Sequence, residues 1–295
     1  VTGGFTCNIC GHRNRAFAPA EDRERPDCAR CQSSVRLRSV VLQLSRALFG
    51  GDVALCDFPA LKTVRGLGIT DSEAYAGELA KRFSYTNTFY DKEPRLDLTA
   101  ADVSAYGQFD FVICSEVMEH VEAPVERAFA ALAKLVKPGG ALIFSAPYSL
   151  EAPTEEHFAA VKGLALAVVD GRPVAVGRKA DGSYAVFEDL KFHGGRGATV
   201  EMRLFSEAEV RERLAGAGFR SVTFDYAGSR EFGVVYTIPC SLPAVARLEE
   251  APARAPHIVE LVEEFATQSR VLRGVRESRW LKLGRALGVG PRIPD

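Results

Sequence analysis

The sequence predicts an α/β fold on a largely parallel sheet, and three observations in its middle carry that prediction. Phe109 to Cys114 is a short unbroken apolar run, the pattern of a strand covered on both faces. From Glu126 to Val136, Ala, Phe and Leu recur at helical spacing. Lys137-Pro138-Gly139-Gly140 then stops that helix, because proline lacks a donor and glycine tolerates positive φ. Ala141 to Ser145 is a second apolar run of strand length. Strand, helix and strand in this order form a βαβ unit, whose strands run parallel.

The 295 residues are 47% hydrophobic and 25% charged with a formal net charge of −1, the profile of a globular chain with one large domain and small additions. Neither a membrane-length apolar run nor a secretory signal is visible, so the expectation is a cytoplasmic protein with no membrane partner. The near-neutral balance argues against a globally basic nucleic-acid binder.

Four of the seven cysteines lie in the first 31 residues, as Cys7-x-x-Cys10 and Cys28-x-x-Cys31. Two such pairs can give four thiolates to a tetrahedral zinc, and a shell closed by four cysteines is structural. A disulfide staple or free thiols are the alternative, and His12 is a spare ligand. Arg13, Arg15, Arg23, Arg25, Arg30, Arg36 and Arg38 surround this zinc-ribbon-like module. They either grip RNA or a phosphorylated substrate, or pair with Glu21, Asp22, Glu24 and Asp27. The interspersed acids and the lack of aromatics favour pairing, so nucleic acid is not an expected partner.

Further along, Ser34 to Phe49 reads as a helix with an apolar stripe, ended by Gly50-Gly51. Val53 to Cys56 reads as the first strand of the sheet and Val64 to Ile69 as the second, with the helix between them reduced to a turn. Ala74 to Phe83 is helical, and Tyr85 to Tyr90 is β-prone. From Tyr148 to Arg203 a long stretch separates the strand ending at Ser145 from the next helix. Within it Val174–Val176 and Tyr184–Phe187 flank Asp181-Gly182 as a hairpin. The run His193-Gly194-Gly195-Arg196-Gly197 is either a turn or an anion-binding loop. Ser206 to Glu209 is a capping box for a helix to Ala215. Ser221–Phe224 and Phe232–Ile238 read as strands. The tail from His257 to Leu287 is a broken amphipathic helix, with Ile258, Leu261, Val262 and Phe265 inward. Its basic face of Arg270, Arg273, Arg276, Arg279 and Lys282 is either solvated or a partner or lipid surface.

FDFVICSEVMEHV followed by LAKLVKPGGALIFSAP resembles the fourth and fifth strands of class I S-adenosylmethionine-dependent methyltransferases. The four-cysteine head, the S-x-x-R-x-R of Ser33, Arg36 and Arg38, the proline-bearing first loop, and FHGG with a following EMR resemble a narrower bacterial subgroup. The resemblance implies a Rossmann-like, mostly parallel seven-stranded sheet with helices on both faces and an antiparallel last strand. It implies S-adenosylmethionine at the carboxyl edge, with Phe58, Thr70, Asp71, Asp97, Leu98, Cys114, Ser115 and His120 around it. Asp71 stands nearest the place of the usual ribose-binding acid, which itself falls on Gly68. Asp97, with Asp102 second, stands where an acid meets the adenine; a turn-forming carboxylate is the alternative for Asp97, weighed below the adenine contact. His120 lines the pocket or bonds backbone at a helix start. The sequence departs from the family after Val53–Cys56, where Asp57-Phe58-Pro59-Ala60 has no glycine.

Residues 1–32 are then a zinc-binding module, 33–147 the cofactor-binding half, 148–205 a lid or substrate insertion, 206–240 the end of the sheet and 241–295 a helical tail. Methyl transfer asks the protein to align nucleophile and methyl group, and a hydroxyl or amine acceptor also needs a base. His157 and His193, with Glu156 to orient or replace one of them, are the catalytic candidates. The resemblance implies a small-molecule acceptor, a sugar or a natural-product intermediate, and a monomer or homodimer. Ring closure or another reaction on the same cofactor, a zinc-headed RNA methyltransferase, and a scaffold that has lost the cofactor stay open beside it.

Overall fold

A computed structural model describes residues 3–16, 22–100, 102–193, 199–238 and 240–249, and in the tail 264, 267–275, 278–279 and 282–283. Glu21, the Gly194–Gly197 run with Arg196, Arg276, and the tail residues Ile258, Leu261, Val262 and Phe265 lie outside the described residues. No helix among the described residues is long and apolar enough to cross a membrane.

The chain opens with a small antiparallel pair, β1 (Phe5–Thr6) and β2 (Arg13–Asn14). Helix α1 (Val35–Phe49) starts on Ser34, whose hydroxyl accepts from the Leu37 amide, and ends on Gly50 at φ 83°. The body then alternates as predicted from the middle of the sequence: β3 (Leu61–Ile69), α2 (Glu73–Arg82), β4 (Phe83–Thr88), β5 (Phe109–Ser115), α3 (Glu126–Leu135) and β6 (Val136–Ser145). The insertion contributes β7 (Tyr148–Ser149), β8 (Glu155–Glu156), β9 (Lys162–Val169), β10 (Arg172–Arg178), β11 (Tyr184–Phe187), β12 (Phe192–His193), β13 (Thr199–Val200) and β14 (Arg203–Ser206). Helix α4 (Glu207–Gly216) follows, then β15 (Ser221–Phe224) and β16 (Ala244–Arg247). The expected hairpin is present as β10 against β11, with Val176 opposite Val186, and β9 extends it to a third strand. Ser206 caps α4 by accepting from the Glu209 amide at 3.1 Å.

The main sheet has the order β15-β16-β6-β5-β3-β4, parallel from β6 to β4 and antiparallel beyond β6. Helices α1 and α2 cover one face, where Val41, Leu44, Tyr75 and Leu79 are buried. Helices α3 and α4 cover the other, with Phe129, Leu132, Val210 and Leu214. Two details correct the sequence reading. Val53–Cys56 is not a strand: its residues lead into a single 3₁₀ turn at Leu55–Asp57, and the Leu55 amide donates to Asn8 of the head at 2.6 Å. The strand beside β5 is β3, so β3 holds the first position, β4 the second, and the helix thought missing between them is α2. Phe232–Ile238 is not the last strand either. Phe232 and Val234 pack with Leu42 of α1, and the antiparallel place beside β6 is taken by β16. Among the described residues the sheet has six strands instead of seven.

Two glycines of β3 are fixed by close approach. A Cβ on Gly66 would lie 2.1 Å from the Phe111 ring, and one on Gly68 would lie 2.0 Å from Tyr85 Oη. Aromatic side chains of neighbouring strands cross β3 at these points.

The head is tied to the body by Arg38, which is fully buried. Its guanidinium pairs with Asp27, donates to Ser33 O at 3.0 Å and Gly233 O at 2.9 Å, and lies 4.3 Å above the Phe5 ring. Removing one partner of such a pair strands the other. Arg38→Ala is expected to cost about 3–5 kcal/mol in urea unfolding, whereas Arg25→Ala on the exposed surface changes stability by under about 0.5 kcal/mol.

Candidate active site

β3, β4, β5 and β6 run parallel, so Ile69, Thr88, Ser115 and Ser145 end at one edge. This carboxyl edge is where ligands sit in open α/β sheets. Two non-glycine residues there adopt the left-handed conformation: Thr70 after β3 at φ 58° and Glu116 after β5 at φ 56°. Ser115 Oγ lies 2.9 Å from Ser145 Oγ, and Ser145 donates to Glu116 Oε1 at 2.8 Å. Two arginines from outside the sheet reach this edge. Arg23 donates to Glu116 Oε2 at 2.6 Å, and Arg36, from the first turn of α1, donates to Ser115 Oγ at 3.1 Å. Arg36 also pairs with Glu24 at 2.7 Å. The head arginines whose pairs the structure shows thus meet acids, as expected. A cavity of about 310 Å³ opens beside them, lined by Arg23, Glu24, Arg36, Ser39, Tyr236 and Ser241 among others.

The residues expected around a cofactor divide in two. Thr70, Ser115 and His120 follow or end strands at the carboxyl edge. Phe58, Leu98 and Cys114 are instead buried in the core. Phe58 packs edge-on to Phe49 at 4.8 Å, and neither Leu98 nor Cys114 offers surface to a ligand. Asp97 closes a local turn, accepting from the Thr99 amide and hydroxyl at 2.8 and 2.7 Å. Asp71 is buried, and both of its oxygens are taken, Oδ1 by Tyr75 at 2.8 Å and Oδ2 by Tyr85 at 2.5 Å. It braces the turn after β3 through these two tyrosines. Burial pushes the Asp71 carboxyl up to about 7, against the two tyrosine donors that lower it.

A second group gathers where the insertion meets the turn after β5. His157 Nε2 and His193 Nε2 donate to opposite oxygens of Glu201, at 2.7 and 2.6 Å. The His120 and His193 rings stand edge to face, 5.5 Å apart. Glu119 lies beneath them, and burial pushes it above the usual carboxylate range. The neighbouring Glu119 carboxylate in turn raises His193. Glu156, expected to serve catalysis, is the counter-ion of Arg203 at 2.7 Å. Glu119, Glu201 and Glu116 had no assigned role from the sequence, and Arg23 reads there only as one of the head arginines. The E-V-M-E-H spacing hints at Glu119 and Glu116, and Glu201 stands in the EMR segment.

In the head, the four cysteine sulfurs lie within 4.8 Å of one another, with Cys7–Cys31 at 3.6 Å and Cys10–Cys28 at 3.7 Å. Disulfides would need about 2.05 Å. Sulfurs about 2.3 Å from a tetrahedral ion stand about 3.8 Å apart, so these four residues fit such an ion.

A match to the family described as methyltransferase domain covers residues 70–223, more than half of the chain. The chain belongs to the methyltransferase domain family. The matched region of the methyltransferase domain begins at Thr70, on the carboxyl edge, and ends within β15. The chain is 36% identical over 83 residues to the ubiquinone biosynthesis O-methyltransferase of Thiobacillus denitrificans, covering 28% of this chain and 34% of that protein. With the ubiquinone biosynthesis O-methyltransferase of Saccharophagus degradans the figures are 35% over 98 residues, 32% and 39%. The chain thus spans between a third and two fifths of the length of these curated relatives. Similar solved structures include an S-adenosylmethionine-dependent methyltransferase from Clostridium acetobutylicum, with TM-score 0.39, 12% identity and coverage of 70% of this chain and 97% of that one. Another is an amino pentose methyltransferase from Micromonospora echinaspora, with TM-score 0.39, 18% identity and coverage of 74% and 92%.

The raised Asp71 carboxyl makes stability of this methyltransferase domain depend on pH. The folded state holds the proton more tightly than the unfolded chain, so the contribution is complete below about pH 4 and is lost as pH rises through about 7. Thermal unfolding from pH 4 to 8 is expected to show wild type losing up to about 4 kcal/mol relative to Asp71→Asn across that window.

Proposed function

We propose that this chain is an S-adenosylmethionine-dependent methyltransferase that acts on a hydroxyl or amine of a small molecule. The observation that carries the reading is the family match that begins on the carboxyl edge at Thr70. The two curated relatives, both O-methyltransferases by name, support an oxygen acceptor such as that of a sugar or a natural-product intermediate. Thr70, Ser115 and Arg36 are the residues that would hold the cofactor, with Arg36 leaving Glu24 for its carboxylate. S-adenosylmethionine supplies an electrophilic methyl group on a sulfonium.

The rest falls to the chain. The insertion packs on the turn after β5, where it limits water at the edge and positions the acceptor. His157 Nε2 is committed to Glu201, which leaves a lone pair on Nδ1, 3.4 Å from the exposed Glu155. His157 Nδ1 is the atom we assign to take the acceptor's proton. The head carries a structural zinc on Cys7, Cys10, Cys28 and Cys31, which orders the loop that delivers Arg23.

Calorimetric titration tests cofactor binding. S-adenosylhomocysteine at 100 times its Kd is expected to add about 2.7 kcal/mol of stability, and Arg36→Ala to weaken binding at least about tenfold. No heat and no stabilisation would leave a scaffold without the cofactor. For the head, a strong chelator is expected to lower Tm, and zinc to restore it, with one tightly held zinc lost in Cys10→Ser.

A further inference from the structure

Glu119 is 0% exposed, yet neither of its carboxylate oxygens receives a hydrogen bond. A carboxylate removed from water with no donor is costly, and folded chains answer it with a donor or a cation. What faces Glu119 is a pair of imidazole nitrogens, His120 Nε2 at 3.6 Å and His193 Nδ1 at 3.9 Å. Both are beyond hydrogen-bond distance.

The outer nitrogen of each ring fixes which inner atom is bare. His120 Nδ1 lies 2.8 Å from the Val200 carbonyl, which can only accept, so Nδ1 carries the hydrogen. His193 Nε2 donates to Glu201 Oε2 at 2.6 Å. In its neutral form each ring therefore turns a lone pair toward Glu119, and an ion there would take the place of any proton on His193 Nδ1. Two imidazole nitrogens and a carboxylate oxygen converge within 4.8 Å of one another with no donor between them. An outer hydrogen bond from each ring to a carbonyl or carboxylate is the support that metal-binding histidines receive.

We propose that Glu119, His120 and His193 form a binding site for a divalent transition-metal ion. The donor set, two imidazoles and one carboxylate without sulfur, suits zinc, cobalt, iron or manganese, and is distinct from the thiolate site in the head. Ion–ligand distances of about 2.0–2.2 Å put neighbouring ligand atoms about 3–3.5 Å apart, which these side chains reach by shifts of under about 1 Å. Three protein ligands leave a coordination position free. The His193 side chain is 37% exposed, so that position opens outward, beside the edge that carries Ser115 and Glu116. An acceptor oxygen there would be held and acidified by the ion. This last step rests on the function proposed above; ion binding itself does not.

The test uses the full, untagged, zinc-loaded chain freed of excess zinc and titrated with Co²⁺. Cobalt on nitrogen and oxygen ligands gives visible d–d bands without the near-ultraviolet charge-transfer band of thiolates. The expected result is saturation at one Co²⁺ per chain with d–d bands alone. Glu119→Gln and His193→Ala should abolish the saturable phase, and His157→Ala should retain it. His193 is partly exposed, so its variant reads the site even if Glu119→Gln fails to fold. Absence of a saturable spectrum in wild type, or the same spectrum in His193→Ala, would overturn the proposal. Neither readout involves S-adenosylmethionine, so a failed cofactor titration and a failed metal titration are separate results.

Discussion

Arg203 brings a guanidinium to 1% exposure in the interior, and the geometry of the site side of the molecule depends on how that charge is satisfied. A buried cation costs several kcal/mol unless it is paired and hydrogen-bonded. Glu156 supplies the charge at 2.7 Å, and the carbonyls of Met118 and Val121 accept at 3.0 and 2.5 Å. Those carbonyls bracket Glu119 and His120. Arg203 itself opens β14, two residues after Glu201, and β14 pairs with β8, which carries Glu156. One side chain thus sets the distance between the insertion and the turn after β5. Backbone bonds from Met202 N to Glu119 O at 2.7 Å and from His157 N to Met202 O at 2.9 Å hold the same register. The need to neutralise Arg203 explains why Glu156, an obvious acid beside a histidine, is not free for chemistry.

A second buried arginine does the equivalent work at the other end. Arg36 and Arg38 are two residues apart at the start of α1, so they point to different sides of the helix. Arg38 turns inward to Asp27 and the Gly233 carbonyl, and Arg36 turns to Ser115 on the sheet edge. The R-x-R pattern is therefore two tasks on one helical turn. The inward arginine locks the helix in place, and that lock determines where the outer one arrives.

Much of the fold was legible because it follows from local chemistry: the β5–α3–β6 unit from its apolar runs, α1 from its stripe and cap, the β10–β11 hairpin from Asp181-Gly182. The first strand was misread for an equally physical reason. Val53–Cys56 is apolar enough for a strand, but its Leu55 amide is claimed by the head. In the sequence β3 reads as a strand from Val64 in the second place, and its mostly exposed first half, Leu61 to Arg65, falls partly outside it. Nothing in the sequence gives a reason for the glycines at Gly66 and Gly68. In the fold they make room for Phe111 and Tyr85, whose approach no local pattern announces. In the site, the histidines of the insertion could be read from their position after β6. Asp71 could not be, since its two tyrosine partners come from different elements, and neither could the isolation of Glu119.

The cations at the carboxyl edge come from outside the region that matches the methyltransferase domain family. That region begins at Thr70, whereas Arg23 and Arg36 precede it. Glu116, inside the match, holds a left-handed backbone and takes its counter-ion from the head loop at 2.6 Å. The head is joined to the body at Leu55 N to Asn8 O, at Thr6 N to Glu231 O and through Arg38, and these contacts fix where Arg23 lands. A four-cysteine module is easily taken for a detachable appendage. Here its loop supplies the counter-ion of Glu116 at the edge. Head and sheet are therefore joined at the edge, and a fragment limited to residues 70–223 would lack β3 and β16 as well as leave Glu116 without Arg23 and Ser115 without Arg36.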